Sequence, residues 1–181
     1  GVSIGTAAGV SAGLLHLFNH ALMKGALFMA VAGICLTYKG TTIRDFAGLG
    51  RSAPFTMAAF AIVGLSLIGV PLTAGFMSKL QLGYALFDHG WWWAVLLVVF
   101  SSFLAVFYVG RLLQAVFFQA PVNPRKHRKE APLLLLIPLW ILAFFAAVAG
   151  EINLPFVLTL EYWLEPAIGH HEAPGVAVEL L

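Results

Sequence analysis

Charged residues are scarce in this sequence. Only 10% of its 181 residues are Asp, Glu, Lys or Arg, against roughly 25% in an ordinary soluble domain. Hydrophobic residues make up 61% of the chain, more than a soluble protein of this length could bury. The net charge is +2 and no basic run alternates with aromatic residues, which argues against a nucleic-acid partner. These absences indicate a multi-pass integral membrane protein that lies in a lipid bilayer.

Residues for cofactor chemistry are also missing. The single cysteine, Cys35, lies in an apolar stretch, so there is no disulfide framework. The sequence contains no phosphate-binding glycine loop, no cysteine cluster and no serine, histidine and acid set. We therefore assign no cofactor and no catalytic centre to this chain. Any redox or nucleotide chemistry is expected on another subunit.

Five apolar stretches are predicted to span the membrane. They cover residues 9–36, 53–70, 71–88, 91–118 and 132–150. Gly75 and Gly83, together with Pro71 at its start, predict that the third stretch is a discontinuous helix. The predicted fold class is therefore an all-α polytopic helical bundle with one discontinuous transmembrane helix. Residues 1–150 form the membrane domain, and residues 151–181 form an acidic tail outside it that leads into a truncated further segment.

Basic residues predict the orientation in the membrane. The loop at residues 125–129 carries four Lys or Arg side chains and is expected to face the cytoplasm. Five separate crossings then place the loop at residues 37–52, which is also basic, on the opposite side. If residues 71–88 re-entered instead of crossing, both loops would lie on one side. Charge counting favours re-entry and span length favours a crossing; we interpret residues 71–88 as crossing.

Titratable side chains form a ladder in the first span. His16, His20 and Lys24 are four residues apart, so they share one helix face over about 12 Å. A charge at the bilayer centre costs from about 2.5 to more than 10 kcal/mol, which favours a functional explanation. Lys79 is a second lone lysine, in the third span. Lipid disfavours the charged form of lysine, and histidine titrates near neutrality. These four residues are therefore candidates for a proton relay.

Structural roles for the same residues stay open. A lysine in a span can belong to a structural ion pair or a packing hydrogen bond, and a core histidine often just satisfies a carbonyl. His16 and His20 also have the spacing of a metal-binding pair, but no third ligand lies in their span, so we assign no metal. His170 and His171 in the tail are typical of adventitious metal binding.

Two phrases in the sequence point to a family. The stretch LLHLFNHALMKGALFMAVAGI, followed some thirty residues later by GLSLIGVPLTAGFMSK, resembles the antiporter-like membrane subunits shared by respiratory complex I and Mrp-type cation/proton antiporters. The resemblance covers residues 9–118 and is greatest to the D-type antiporter subunit, then to L- and N-type complex I subunits. It implies that the chain is a C-terminal fragment of a larger subunit built from two inverted repeats.

The resemblance also implies roles for individual residues. Lys24 would sit at the centre of a midmembrane chain of charged groups, with His16 and His20 as its companions, and Lys79 would end a half-channel on the broken helix. M-type subunits have glutamate at the position of Lys79, so the lysine argues against that type.

The function implied is a proton-translocating subunit of a multisubunit NADH-quinone oxidoreductase or cation/proton antiporter complex. Its expected partners are other membrane subunits, lipid and protons, with sodium as a further candidate ion, in a bacterial plasma membrane. Whether the whole complex is a redox-driven enzyme or a secondary antiporter stays open. The alternative is a structural scaffold subunit without its own ion path, in which both lysines tolerate replacement by Met.

Overall fold

The computed structural model describes residues 5–39, 42–121 and 129–148, and within these ranges it contains helices and no strand. The α-helices are α1 (Ala7–Tyr38), α2 (Leu49–Ser52), α3 (Pro54–Ile68), α4 (Ala74–Asp88), α5 (Trp92–Phe118) and α6 (Leu133–Val148), with a 3-10 helix at Ile43–Phe46. By length and composition α1 and α5 can cross a membrane, and α3 and α6 are shorter apolar helices. The all-α fold predicted from the sequence is confirmed. The predicted tail at residues 151–181 lies outside the described residues.

Local contacts fix both ends of α1. At its start the Thr6 hydroxyl accepts a hydrogen bond from the Gly9 N–H at 3.1 Å, as an N-cap residue does. At its end Lys39 adopts a left-handed conformation (φ 56°) and its N–H donates to the Cys35 carbonyl. The 32 residues between these caps extend about 48 Å, which exceeds the hydrocarbon thickness of roughly 30 Å.

Four long helices have an end at the same side of the bundle. Tyr38 Oη lies 2.8 Å from the carbonyl oxygen of Lys129 and 3.2 Å from that of Ser52. The Gly48 N–H donates to the Ala115 carbonyl near the end of α5 at 3.1 Å. We call this side, formed by residues 38–39, 42–53, 115–121 and 129–132, the loop end. It follows that α1 and α5 run toward the loop end, whereas α3 and α6 run away from it.

α3 and α4 follow one another in the same direction. α3 leaves the loop end, and the start of α4 meets the middle of α1, where Asn19 Nδ2 donates to the Ala74 carbonyl at 3.2 Å. Further along, Ala85 and Leu86 of α4 pack against Ala12 near the start of α1. Each of the two helices has 15 residues, or about 22 Å, so neither alone would cross a 30 Å core. End to end they are long enough for one crossing, and we call the pair the interrupted crossing.

This arrangement differs from the sequence-based expectation that residues 53–70 and 71–88 cross separately. The discontinuity lies between the two stretches, and residues 74–88 form an uninterrupted helix. Gly69 (φ 98°) and Leu72 (φ 74°) redirect the chain locally, but they do not reverse it. The length of an apolar stretch predicts where a helix ends, but it does not predict the direction that the chain takes afterwards. As a result, both basic segments have residues at the loop end, which is the placement that charge counting favoured.

Glu130, which precedes α6, caps the distant N-terminus of α3. Its carboxylate accepts hydrogen bonds from the N–H groups of Phe55 and Thr56, both at 3.0 Å, and from the Thr56 hydroxyl at 2.7 Å. These are charge-assisted bonds, and a negative charge at a helix N-terminus is favourable. The carboxylate therefore fixes the start of the interrupted crossing to the segment that leads into α6.

We expect Glu130→Gln to destabilise the bundle. The amide would direct an NH₂ group at an N–H donor, so at least one bond to a charged acceptor, worth about 1.5–3 kcal/mol, is lost. Thermal unfolding of the detergent-solubilised complex measures the effect. Asp88→Asn is the matched control, because Asp88 is exposed at the C-terminal end of α4, where a negative charge is unfavourable. Equal unfolding midpoints for the two variants would contradict the capping role.

Candidate functional site

Lys79 reaches from α4 back to the end of α3. Its Nζ donates hydrogen bonds to the carbonyl oxygens of Leu67 and Ile68, each at 2.9 Å. These carbonyls lie in the last turn of α3, where the helix provides no N–H partners of its own. A positive charge is also favourable at the C-terminus of a helix. Lys79 therefore acts as a C-cap for the first half of the interrupted crossing.

The other two terminal carbonyls of α3 are satisfied by backbone groups. The Gly69 N–H donates to the carbonyls of Leu65 and Ser66, and the Val70 N–H also donates to Leu65. All four terminal carbonyls of α3 thus have partners. An unpartnered carbonyl in lipid costs several kcal/mol, so the two bonds from Lys79 stabilise the break.

The start of α4 packs directly on α3, at a serine that also binds α6. Ser66 Oγ donates to the Ala146 carbonyl at 2.9 Å and accepts from the Gly75 N–H at 3.3 Å. A Cβ atom added to Gly75 would collide with the Ser66 carbonyl oxygen and lie 3.3 Å from Met23 Sδ. The absence of a side chain at position 75 is therefore what allows α4 to approach α3 this closely.

Among the predicted relay residues on α1, His16 hydrogen-bonds to α4. His16 Nδ1 lies 3.1 Å from the Ser78 hydroxyl, and Ser78 is the residue before Lys79. The rings of His16 and His20 have centroids 6.0 Å apart, so the two histidines of the predicted ladder are neighbours on α1. The contact to Ser78 places the first residue of the ladder beside the helix that carries Lys79.

Lys24 and Lys79 lie in different cavities. Lys24 lines a cavity of about 340 Å³ between α1, α3, α5 and the 3-10 helix, in which Thr42 and Tyr108 are the other polar side chains. Lys79 lines a cavity of about 560 Å³ between α4, the end of α3 and the first half of α5. The first cavity is on the side of the loop end, and the second extends toward the turn between α4 and α5. The structure therefore does not bring the two lysines into one pocket.

Sequence analysis missed three polar residues of this region. Ser66, Asn19 and Ser78 are fully buried, and each connects two helices through a hydrogen bond. The sequence did not single them out, because uncharged polar residues are common in apolar stretches and cost less free energy in lipid than a lysine does. The available signal was their position: Asn19 adjoins His20, and Ser78 adjoins Lys79.

An interrupted membrane helix closed by a lysine, packed against a long helix with two histidines and a second lysine, defines a polytopic helical membrane protein with titratable groups inside the bundle. The chain belongs to the NADH:quinone oxidoreductase/Mrp antiporter transmembrane family, which matches residues 1–105. The resemblance inferred from the sequence is thereby confirmed.

Individual relatives cover most of this chain. NADH-quinone oxidoreductase subunit N of Desulforudis audaxviator (strain MP104C) is 33% identical over 165 residues, which is 84% of this chain and 33% of that protein. NADH-quinone oxidoreductase subunit L of Mycobacterium tuberculosis (strain CDC 1551 / Oshkosh) is 31% identical over 170 residues, or 91% of this chain and 27% of that protein. The chain thus spans about a third or less of the length of these relatives.

Solved structures show the same fold. A chain of the Mrp complex from Dietzia sp. DQ12-45-1b superposes with a TM-score of 0.79 at 20% identity, covering 92% of this chain and 40% of that one. A chain of the membrane-bound sulfane sulfur reductase, an archaeal respiratory membrane complex, superposes with a TM-score of 0.71 at 33% identity, covering 79% of this chain and 24% of that one. An Mrp complex and an archaeal respiratory membrane complex thus each contain a chain with this fold.

Proposed function

We propose that the subunit to which this chain belongs translocates protons, and that Lys24, His20, His16 and Lys79 form its relay. The observation that carries the proposal is the placement of the two lysines in cavities on opposite halves of the bundle. The histidines precede Lys24 on α1, and His16 contacts α4 through Ser78. Under this proposal, a proton that enters one cavity reaches the other by way of these side chains.

The position of the break between α3 and α4 supports the proposal that a barrier lies between the two cavities. Leu67 lines the Lys24 cavity, and the next residues, Ile68 and Gly69, line the Lys79 cavity. The end of α3 thus separates the two spaces, and Lys79 is bound to that end. A barrier with a titratable group attached to it is what a relay needs in order to pass protons without an open water channel.

Electrostatic repulsion would couple the two lysines. Two like charges about 10–15 Å apart repel by about 1–2 kcal/mol at an effective dielectric constant near 20. A free-energy difference of 1.36 kcal/mol corresponds to one pKa unit. Under this proposal, a proton that arrives at one lysine promotes departure of the proton from the other.

We also propose how the subunit is oriented in the membrane and to which kind of complex it belongs. We place the loop end at the cytoplasmic face, because its described residues include Lys39, Arg44, Arg51 and Lys129. The similar proteins are named as subunits of NADH-quinone oxidoreductases or come from an Mrp complex. We therefore propose a multisubunit complex of one of these two kinds, in a bacterial plasma membrane, with other membrane subunits as partners and with protons or sodium as the transported ions.

A structural role for Lys79 is the second candidate. Its two bonds to α3 carbonyls support a lysine that closes the break without exchanging a proton. Unlike the lysines of the scaffold alternative, such a lysine would not tolerate Met. Substitution of Lys79 by Arg separates this role from the relay.

The proposed relay is tested first at Lys24. In the full-length subunit within its complex, Lys24→Met should reduce proton translocation at least tenfold while the complex still assembles, since Lys24 lines a cavity and is only partly buried. Lys24→Arg should also be impaired, because arginine is effectively never deprotonated in proteins. The measurement is dye-reported acidification in proteoliposomes.

The control for this test is Lys39→Asn. It removes an exposed positive charge at the loop end and keeps a residue type that tolerates the left-handed conformation found there. This variant should translocate protons normally. Wild-type rates for Lys24→Met would refute the relay.

A further inference from the structure

Ser78 occupies an unusual position in the hydrogen-bond pattern of α4. Its hydroxyl lies 3.1 Å from His16 Nδ1 on α1 and also donates to the Gly75 carbonyl on its own helix at 3.2 Å. The Ser78 side chain is fully buried. No route to bulk water is therefore open at the hydroxyl, and Nδ1 of His16 depends on Ser78 as its partner on this side.

The hydroxyl can serve both protonation states of the histidine. An imidazolium has two N–H donors, whereas a neutral imidazole has one donor and one acceptor. When Nδ1 carries a proton, it donates to Ser78 Oγ while the hydroxyl donates to the Gly75 carbonyl. When Nδ1 lacks a proton, the hydroxyl rotates and donates to Nδ1. The Gly75 carbonyl tolerates this loss because it is also an acceptor in the backbone ladder of α4.

We infer that Ser78 is a positioning residue of the relay that keeps Nδ1 of His16 hydrogen-bonded in both protonation states. This inference rests on the proposed function, because it assumes that His16 changes its protonation state during transport. The titratable groups near His16 include His20 on α1 and Lys79 on α4. Rotation of one hydroxyl satisfies the nitrogen without any movement of a helix.

The test uses the full-length subunit in its complex, reconstituted in lipid. Ser78→Ala removes the hydroxyl, and Ser78→Thr retains it. Ser101→Ala is the matched control, because Ser101 is exposed on α5. Transport is measured as a function of pH. In parallel, ¹⁵N spectra of histidine-labelled complex report the protonation of each ring nitrogen, with the His16 signals assigned by their loss in His16→Gln.

We expect Ser78→Ala to lower transport about three- to tenfold. The pH of half-maximal transport should fall by about half a unit to one unit, because the charged imidazolium loses a stronger hydrogen bond than the neutral ring does. The Nδ1 signal of His16 should shift in this variant. Ser78→Thr and Ser101→Ala should resemble the unmodified protein in both measurements. In a His16→Gln background, Ser78→Ala should have little further effect, since neighbouring residues that act together are not additive.

The outcomes separate this inference from the proposed function. Normal transport by His16→Gln would refute the role of His16 in the relay, and the ¹⁵N spectra would still test the contact with Ser78. If His16→Gln impairs transport but Ser78→Ala changes neither the pH profile nor the Nδ1 signal, the inference fails and the relay stands. Equal loss by Ser78→Ala with and without His16 would show a role in packing only.

Discussion

Replacing Lys79 with Met is expected to abolish proton translocation and to weaken the junction between α3 and α4. Met cannot donate to the carbonyls of Leu67 and Ile68, which Lys79 Nζ contacts at 2.9 Å. In lipid each abandoned carbonyl costs several kcal/mol unless water reaches it. The variant therefore loses a titratable group and two hydrogen bonds together, and reduced assembly of the complex is expected alongside the loss of transport.

Lys79→Arg separates these two contributions. The guanidinium retains N–H donors for both carbonyls, but it does not release its proton. We expect the Arg variant to assemble as the unmodified complex does and to translocate protons at least tenfold more slowly. Assembly is measured by native gel electrophoresis and transport by acidification of proteoliposomes. Normal transport by Lys79→Arg would establish a lysine that closes the break without exchanging a proton.

Gly75→Ala is expected to have the second large effect, on the folding of the subunit. The new Cβ would overlap the carbonyl oxygen of Ser66, and a backbone atom cannot move aside as a flexible side chain can. Overpacking of this kind costs about 1–3 kcal/mol, occasionally more. Relief of the overlap would also separate Gly75 from the Ser66 hydroxyl. We expect little assembled complex, measured as the yield of the subunit after purification.

Gly83→Ala is the matched control for this substitution. Gly83 lies on the same helix, and a Cβ added there meets no atom within 4 Å. Alanine is favoured over glycine inside a helix by about 0.5–1 kcal/mol, so this variant should assemble at least as well as the unmodified subunit. Equal yields for the two alanine variants would mean that the close approach at Gly75 is not required.

The ladder on α1 was predictable because it depends on helix periodicity alone. Four-residue spacing puts His16, His20 and Lys24 on one face of any straight helix, and the structure contains such a helix from Ala7 to Tyr38. Pro54 is the first residue of α3, a position that proline favours in any helix. These features are local, so the sequence was sufficient to predict them.

The path of the chain through the break was not predictable in the same way. A proline and a glycine mark the end of a helix, but whether the next helix reverses or continues depends on contacts with distant residues. Here Asn19 and His16 contact the first turns of α4, and Glu130 fixes the start of α3. Such partners are separated by dozens of residues in the sequence, and no spacing rule connects them.

If Lys79 exchanges a proton as proposed, the number of its N–H donors decides whether the break keeps its hydrogen bonds. A lysine ammonium has three N–H bonds, and a neutral amine retains two, the number that the carbonyls of Leu67 and Ile68 accept. Loss of the proton can therefore leave both contacts in place and direct the nitrogen lone pair into the cavity that Lys79 lines. In the proposed relay, the backbone would then keep its geometry while the charge of Lys79 changes, and the helix would not have to be rebuilt in each turnover.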